Sequence, residues 1–107
     1  MARRAAKVDA NQKIVVKALR SAGATVQHLH AVGAGCPDLL VGFRGINYLI
    51  EVKDGKKPPS ARKLTDDQVI WHRDWRGNAH VVKSVTEALA VLGLMPTVEI
   101  EHRGEIG

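Results

Sequence analysis

Gly35-Cys36-Pro37-Asp38-Leu39-Leu40-Val41-Gly42-Phe43 runs through Arg44-Gly45-Ile46-Asn47 into Tyr48-Leu49-Ile50-Glu51-Val52-Lys53. Two short apolar runs rich in branched and aromatic residues flank a glycine-bearing turn, the pattern of a β-hairpin. Taking Arg44 to Asn47 as a four-residue turn pairs Phe43 with Tyr48 and puts Asp38 opposite Lys53. Side chains alternate faces along a strand, so Glu51 and Lys53 project together. Asp38, across the ladder, joins them on that face. Two carboxylates and an ammonium therefore converge at the open end of the hairpin, between a glycine-rich loop over residues 31–37 and a basic loop over residues 53–63. Charged residues at i and i+2 on a strand more often mark a solvated face. A bulge would also turn Asp38 away.

Working outward, Asp9 with Gln12 reads as a capping box opening a helix. Ile14, Val15, Ala18, Leu19 and Ala22 follow at helical spacing, and Gly23 stops it. Thr25 to Leu29 reads as a strand. Beyond the basic loop, Thr65 and Gln68 form a second capping box, opening a helix that runs to about Trp75 and Arg76. Trp71 and Trp75 lie one turn apart and read as core packing. Ala79 to Val82 reads as a fourth strand. Ser84 with Glu87 opens a last helix, closed near Leu92 by Gly93. Residues 98–101 alternate and suit an edge strand or a loose tail. The order α-β-β-β-α-β-α predicts an α/β fold with one mixed sheet flanked by helices.

One hundred and seven residues suit a single domain, with a core over about residues 9–92, a basic arm over 1–8 and a tail over 94–107. Sixteen Lys and Arg against eleven Asp and Glu leave a formal charge of +5. The positive groups gather in two places: Arg3, Arg4, Lys7, Lys13, Lys17 and Arg20, then Lys53, Lys56, Lys57, Arg62 and Lys63. Two basic clusters on a small domain fit a polyanion gripped through its phosphates, although such residues also simply solvate a surface. With only 4% aromatic residues, backbone contacts to a duplex or junction are expected over base-stacking. No apolar run is long enough to cross a membrane. No export signal follows the N-terminus, so a cytoplasmic setting is expected. The single Cys36 excludes a disulfide framework and a multi-cysteine zinc site. Cys36 itself reads as packing. His28 and His30 lack the further ligands zinc needs, which leaves phosphate contact open. No organic-cofactor fingerprint is present.

Asp38 and Glu51 are the donors a hard divalent cation such as Mg²⁺ or Mn²⁺ prefers, with the Val52 carbonyl a natural third. Such an ion polarises a phosphodiester and lowers the pKa of a bound water. Lys53 is placed to orient that water or to neutralise charge developing on phosphorus.

The three blocks Gly35 to Gly42, Leu49 to Lys53, and Leu64-Thr65-x-x-Gln68-x-x-Trp71 together resemble the PD-(D/E)XK nuclease superfamily. In particular, the chain is similar over about residues 9–92 to the stand-alone virus-type replication-repair nuclease (VRR-NUC) domains of phages and prophages, relatives of Holliday junction resolvases. The resemblance implies a restriction-endonuclease-like αβββαβ core, DNA as substrate, Mg²⁺ or Mn²⁺ as cofactor, Asp38 and Glu51 as ligands, Lys53 as the catalytic lysine and Gln68 beside the site. Members often add an acidic ligand from the first helix. Asp9 is the candidate here, and Gln12 stands where a glutamate could have. The expected activity is a metal-dependent endonuclease acting on structured DNA, four-way junctions first. Symmetric cutting of a junction needs two sites, hence a homodimer. The rivals are a flap or nicking nuclease of the same chemistry, a non-catalytic DNA-binding module, and an adaptor for acidic proteins.

Overall fold

In the computed structural model, which describes residues 10–94, four strands form one sheet in the order β1-β2-β3-β4. The elements are α1 (Ala10–Ser21), β1 (Thr25–His28), β2 (Leu39–Phe43), β3 (Ile46–Val52), α2 (Pro59–Arg62), α3 (Asp66–Asp74), β4 (Ala79–Val82) and α4 (Val85–Val91). β1, β2 and β3 are successively antiparallel, and β4 runs parallel to β3. Helices α1 and α4 end in Schellman turns at Gly23 and Gly93.

The core lies against one face of the sheet. Leu39 and Val41 of β2, Ile50 and Val52 of β3 and Val82 of β4 are buried with Val15, Val16 and Leu19 of α1, and with Ala88 of α4. The period-two burial of β2, buried at Leu39, Val41 and Phe43 and half-buried between, is that of a strand covered fully on one side only. The apolar residues read as supporting the site divide accordingly. Leu39, Ile50 and Val52 enter the core, while Leu40 and Leu49 are half-buried on the opposite face.

Three sequence expectations change. The hairpin turn is two residues, not four: Phe43 pairs with Ile46, so β3 begins at Ile46. Arg44 and Gly45 carry φ of 50° and 81°, the left-handed pair that a tight hairpin needs to match strand twist. Gly45 takes that conformation freely. Arg44 takes it at a cost, with its guanidinium 4.8 Å above the Phe43 ring. Second, the basic loop contains the short helix α2, started by Pro59 at a position where its missing N–H is no loss. Third, α3 buries none of its residues, and Trp75 is half-exposed. Trp71 and Trp75 stack on each other, centroids 4.7 Å apart, instead of entering the core. Smaller shifts are that β1 ends at His28, α3 at Asp74, and Ile14 faces outward. Asp9 and residues 98–101 lie outside the described residues.

Candidate active site

The two-residue turn slides β3 along β2 by two positions relative to the four-residue reading. A slip of two keeps every side chain on its face. Leu39 pairs with Ile50, so one further step puts Asp38 beside Glu51 rather than Lys53. Pro37 ends regular pairing, and the Asp38 side chain continues it: its Oδ2 accepts the Val52 N–H at 2.8 Å. The Asp38 carbonyl accepts from the Leu29 N–H on the other side. Asp38 is thus fixed between β1 and β3 and projects, with Glu51 and Lys53, from the face opposite the core.

Gln68 closes the cluster. It is the third residue of α3, and both capping-box bonds with Thr65 are present. The same side chain reaches across to the strands. Its Oε1 accepts from Lys53 Nζ at 2.9 Å as well as from the Thr65 N–H, and its Nε2 donates to Glu51 Oε2 at 2.9 Å. Lys53 Nζ lies 3.6 Å from the same Glu51 oxygen. Capping and site contact, the two roles expected of Gln68, coexist in one amide.

Glu51 is 2% exposed. Burial, reinforced by the nearby Asp38 carboxylate and opposed by Lys53, pushes its pKa up to about 7. Its second oxygen, Oε1, is buried with no hydrogen-bond partner among the described residues. An orphaned carboxylate oxygen in a native interior calls for an explanation. In the metal-free protein a proton shared with Asp38 supplies one, in keeping with the raised Glu51 pKa; a hard cation between the two carboxylates would supply another, and the all-oxygen donors Asp38 and Glu51 fit such an ion. No cluster of three or more His, Cys, Asp or Glu side chains occurs among the described residues. Among the described residues Asp38 and Glu51 are the two carboxylates of the cluster, and the Val52 carbonyl is the neighbouring backbone oxygen. Burial, reinforced by the Glu51 and Asp38 carboxylates, raises the Cys36 thiol and so favours its protonated form.

The remaining expected residues spread out. Lys13 and Lys17 are exposed on α1 and, with Arg20 and His28, line a groove of about 510 Å³. Lys56, Lys57 and Lys63 are exposed on the segment between β3 and α3, and Arg62 is half-buried, its Nε without a partner among the described residues. Gln12 is buried and meets His28 Nδ1 at 3.3 Å, turned to β1 rather than to the carboxylates. Arg3, Arg4, Lys7 and Asp9 lie outside the described residues. Two residues were missed. Asn11 donates to the Lys53 carbonyl at 2.8 Å, tying α1 to the end of β3. Nothing in the sequence marks it. His72 stands one turn after Gln68, its Nε2 buried and unpartnered. Burial and the positive charge of Lys53 lower its pKa. The i, i+4 spacing from Gln68 was the available signal.

No protein-family model matches the chain, and no curated protein does. Among solved structures, one described as a VRR_NUC domain superposes with a TM-score of 0.59 at 28% identity, over 77% of this chain and 89% of that one. The chain has a VRR-NUC domain fold. Its mixed sheet, with helices to either side, accords with the restriction-endonuclease-like core to which VRR-NUC domains were likened above. In this chain the three sequence blocks fall on β2, β3 and α3, the elements that meet at the carboxylate cluster.

Proposed function

We propose that this domain is a divalent-metal-dependent endonuclease that hydrolyses phosphodiester bonds in structured DNA, with four-way junctions the first substrate to test. The observation that carries the reading is the buried, unpartnered Glu51 Oε1 beside Asp38, on a basic domain with a VRR-NUC fold. Asp38, Glu51 and the Val52 carbonyl would hold Mg²⁺ or Mn²⁺. The Val52 N–H points at Asp38, and a residue's N–H and C=O leave a strand on the same side. Asp9 remains a candidate for a further carboxylate. When bound, the ion polarises the scissile phosphodiester and makes a water nucleophilic at neutral pH.

Lys53 supplies a fixed positive charge where a phosphorane gathers negative charge, and orients the attacking water. Its side chain is 15% exposed, so solvent screens it little. Gln68 holds that ammonium and the Glu51 carboxylate in register through opposite ends of its amide. Lys56, Lys57, Arg62 and Lys63 would grip phosphates on one side of the site, and Lys13, Lys17 and the arm bearing Arg3, Arg4 and Lys7 on another. A homodimer would bring two such sites to a junction. No helix among the described residues is long and apolar enough to cross a membrane.

The test is cleavage of labelled junction, flap and linear duplex with Mg²⁺, Mn²⁺ or EDTA. Metal-dependent cutting with preference for the junction is expected. Cutting of flaps alone selects a flap nuclease, binding without cutting under any divalent ion selects a silent binding module, and cutting in EDTA removes the metal from the reading.

A further inference from the structure

We infer that the groove between α1 and β1 is a track for the sugar–phosphate backbone of the substrate, and that His28 donates a hydrogen bond to a phosphate there. Lys13, Lys17 and Arg20 line it at i, i+4 and i+7, one stripe along α1. Ser21 and His28 complete the polar lining, and buried Val16 is its apolar member. No carboxylate lines it among the described residues. Its volume of about 510 Å³ falls within the ~300–1,000 Å³ of sites that enclose a small ligand, room for a phosphate with its sugar. The fold holds two of these donors in place. Arg20 Nη2 donates to the Val26 carbonyl at 3.1 Å, which sets the guanidinium against β1. The amide of Gln12, 5% exposed, donates to His28 Nδ1 at 3.3 Å. A ring that accepts at Nδ1 carries its proton on Nε2, the nitrogen left for the groove. The buried Gln12 thereby acquires a role as a positioning residue that sets a tautomer.

The first turn of α1 ties this groove to the carboxylate cluster. Asn11 donates to the Lys53 carbonyl beyond the end of β3, and its neighbour Gln12 reaches His28 at the end of β1. His28 pairs with Leu39, the residue after Asp38, and the Leu29 N–H donates to the Asp38 carbonyl. The groove thus opens at the end of the sheet that bears Asp38 and Glu51. From β1 to β3 is two strand spacings, roughly 10 Å, or about three base steps along one DNA strand. A phosphate held by His28 therefore fixes which bond, three or more steps away, reaches the carboxylates. An acidic protein segment is the other occupant to weigh for a cationic groove. The VRR-NUC fold and the short path to the carboxylates favour DNA. The inference deepens the nuclease reading and rests on it for the identity of the strand.

The test is binding of a short labelled DNA duplex to the full chain in EDTA, so that it reads the groove independently of hydrolysis. Nitrogen-15 NMR of the free protein should show His28 protonated at Nε2, and the duplex should shift that resonance. His28→Ala should weaken binding on the order of tenfold, the loss of one hydrogen bond to a charged group. Gln12→Leu should release the tautomer and weaken binding in the same direction. Lys13→Ala with Lys17→Ala should flatten the salt dependence by about two phosphate contacts. Unchanged affinity in His28→Ala, or an unchanged salt slope in the lysine pair, overturns the inference even where cutting with Mg²⁺ is intact. Polyglutamate that displaces the duplex at equal charge concentration overturns it in favour of an acidic protein. Thymidine monophosphate that binds as tightly as the duplex overturns it in favour of a mononucleotide site. A protein that binds through this groove yet cuts nothing with any divalent ion contradicts the nuclease reading and leaves the groove assigned.

Discussion

Glu51 is an acid held where an acid is costly. Burial and Asp38 lift its pKa from 4.5 to about 7, so between those values the metal-free folded protein holds a proton that the unfolded chain has released. Its contribution to stability is then full below about pH 4.5 and lost as pH rises through about 7. Thermal melts of the metal-free protein should show that loss between about pH 5 and pH 8. Glu51→Gln should remove it, and Mg²⁺ or Mn²⁺ should restore wild-type stability at the alkaline end. A wild type as steep as the Gln variant would mean that Glu51 ionises freely. Gln68→Ala leaves Lys53 and Glu51 unsupported, and a supporting residue of this kind is worth about 10–100-fold in activity or metal affinity. Steady-state cleavage across metal concentrations should show both a lower rate and a higher metal requirement, whereas a mere helix cap would lower only the melting temperature. Asp38, Glu51 and Lys53 were legible in the sequence because alternation by twos survives a two-residue slip in register. The partner of Asp38 was not, since the backbone N–H of Val52 carries no sequence signature. Nor was the orphaned oxygen, which depends on how Glu51 is buried in the folded chain.

Helix α3 shows how an element can be read correctly and placed wrongly. Thr65 and Gln68 marked its start because capping chemistry is local. Trp71 and Trp75, one turn apart, imitate a buried stripe, yet α3 is anchored by polar contacts from Gln68 and by a close approach at Gly35. Gly35 has a φ of 83°, and a Cβ there would collide with the Asp67 backbone carbonyl. Gly35→Ala should therefore push the start of α3 off the loop that precedes Asp38 and withdraw Gln68 from Glu51 and Lys53. Activity should fall at least as far as in Gln68→Ala. Because α3 contributes nothing to the core, the melting temperature should fall less than with Leu39→Ala, a core cavity costing about 2–5 kcal/mol. Equal losses would place α3 in the folding core after all. The hairpin turn misled for a related reason: Arg-Gly lacks the Asn or Asp that advertises a two-residue turn, and the non-glycine left-handed residue is tolerated beneath its own stack on Phe43.

At the scale of the whole molecule, the sheet separates stability from chemistry. One face is closed by α1 and α4 over the apolar core. The other carries Asp38, Glu51 and Lys53 under α3. The order of the elements, the short α2 apart, was readable from periodicity and caps, because each helix and strand is short, bounded and locally consistent. The arrangement of charge in space was not, since it depends on which face each strand turns outward. Lys56 and Lys57 are exposed on the loop that leaves β3 just after Lys53, so Lys56→Ala with Lys57→Ala should weaken DNA binding and flatten its salt dependence by about two phosphate contacts. Fluorescence anisotropy over a salt series reads both, and an unchanged slope would take that loop out of the DNA surface. The central claim is that Asp38 and Glu51 hold a divalent cation. The most direct measurement is Mn²⁺ binding followed by the electron paramagnetic resonance signal of the free ion. Wild-type protein should take up Mn²⁺ at this site, and Asp38→Asn or Glu51→Gln should each abolish that uptake while the fold persists. Uptake undiminished in the two variants would contradict the account.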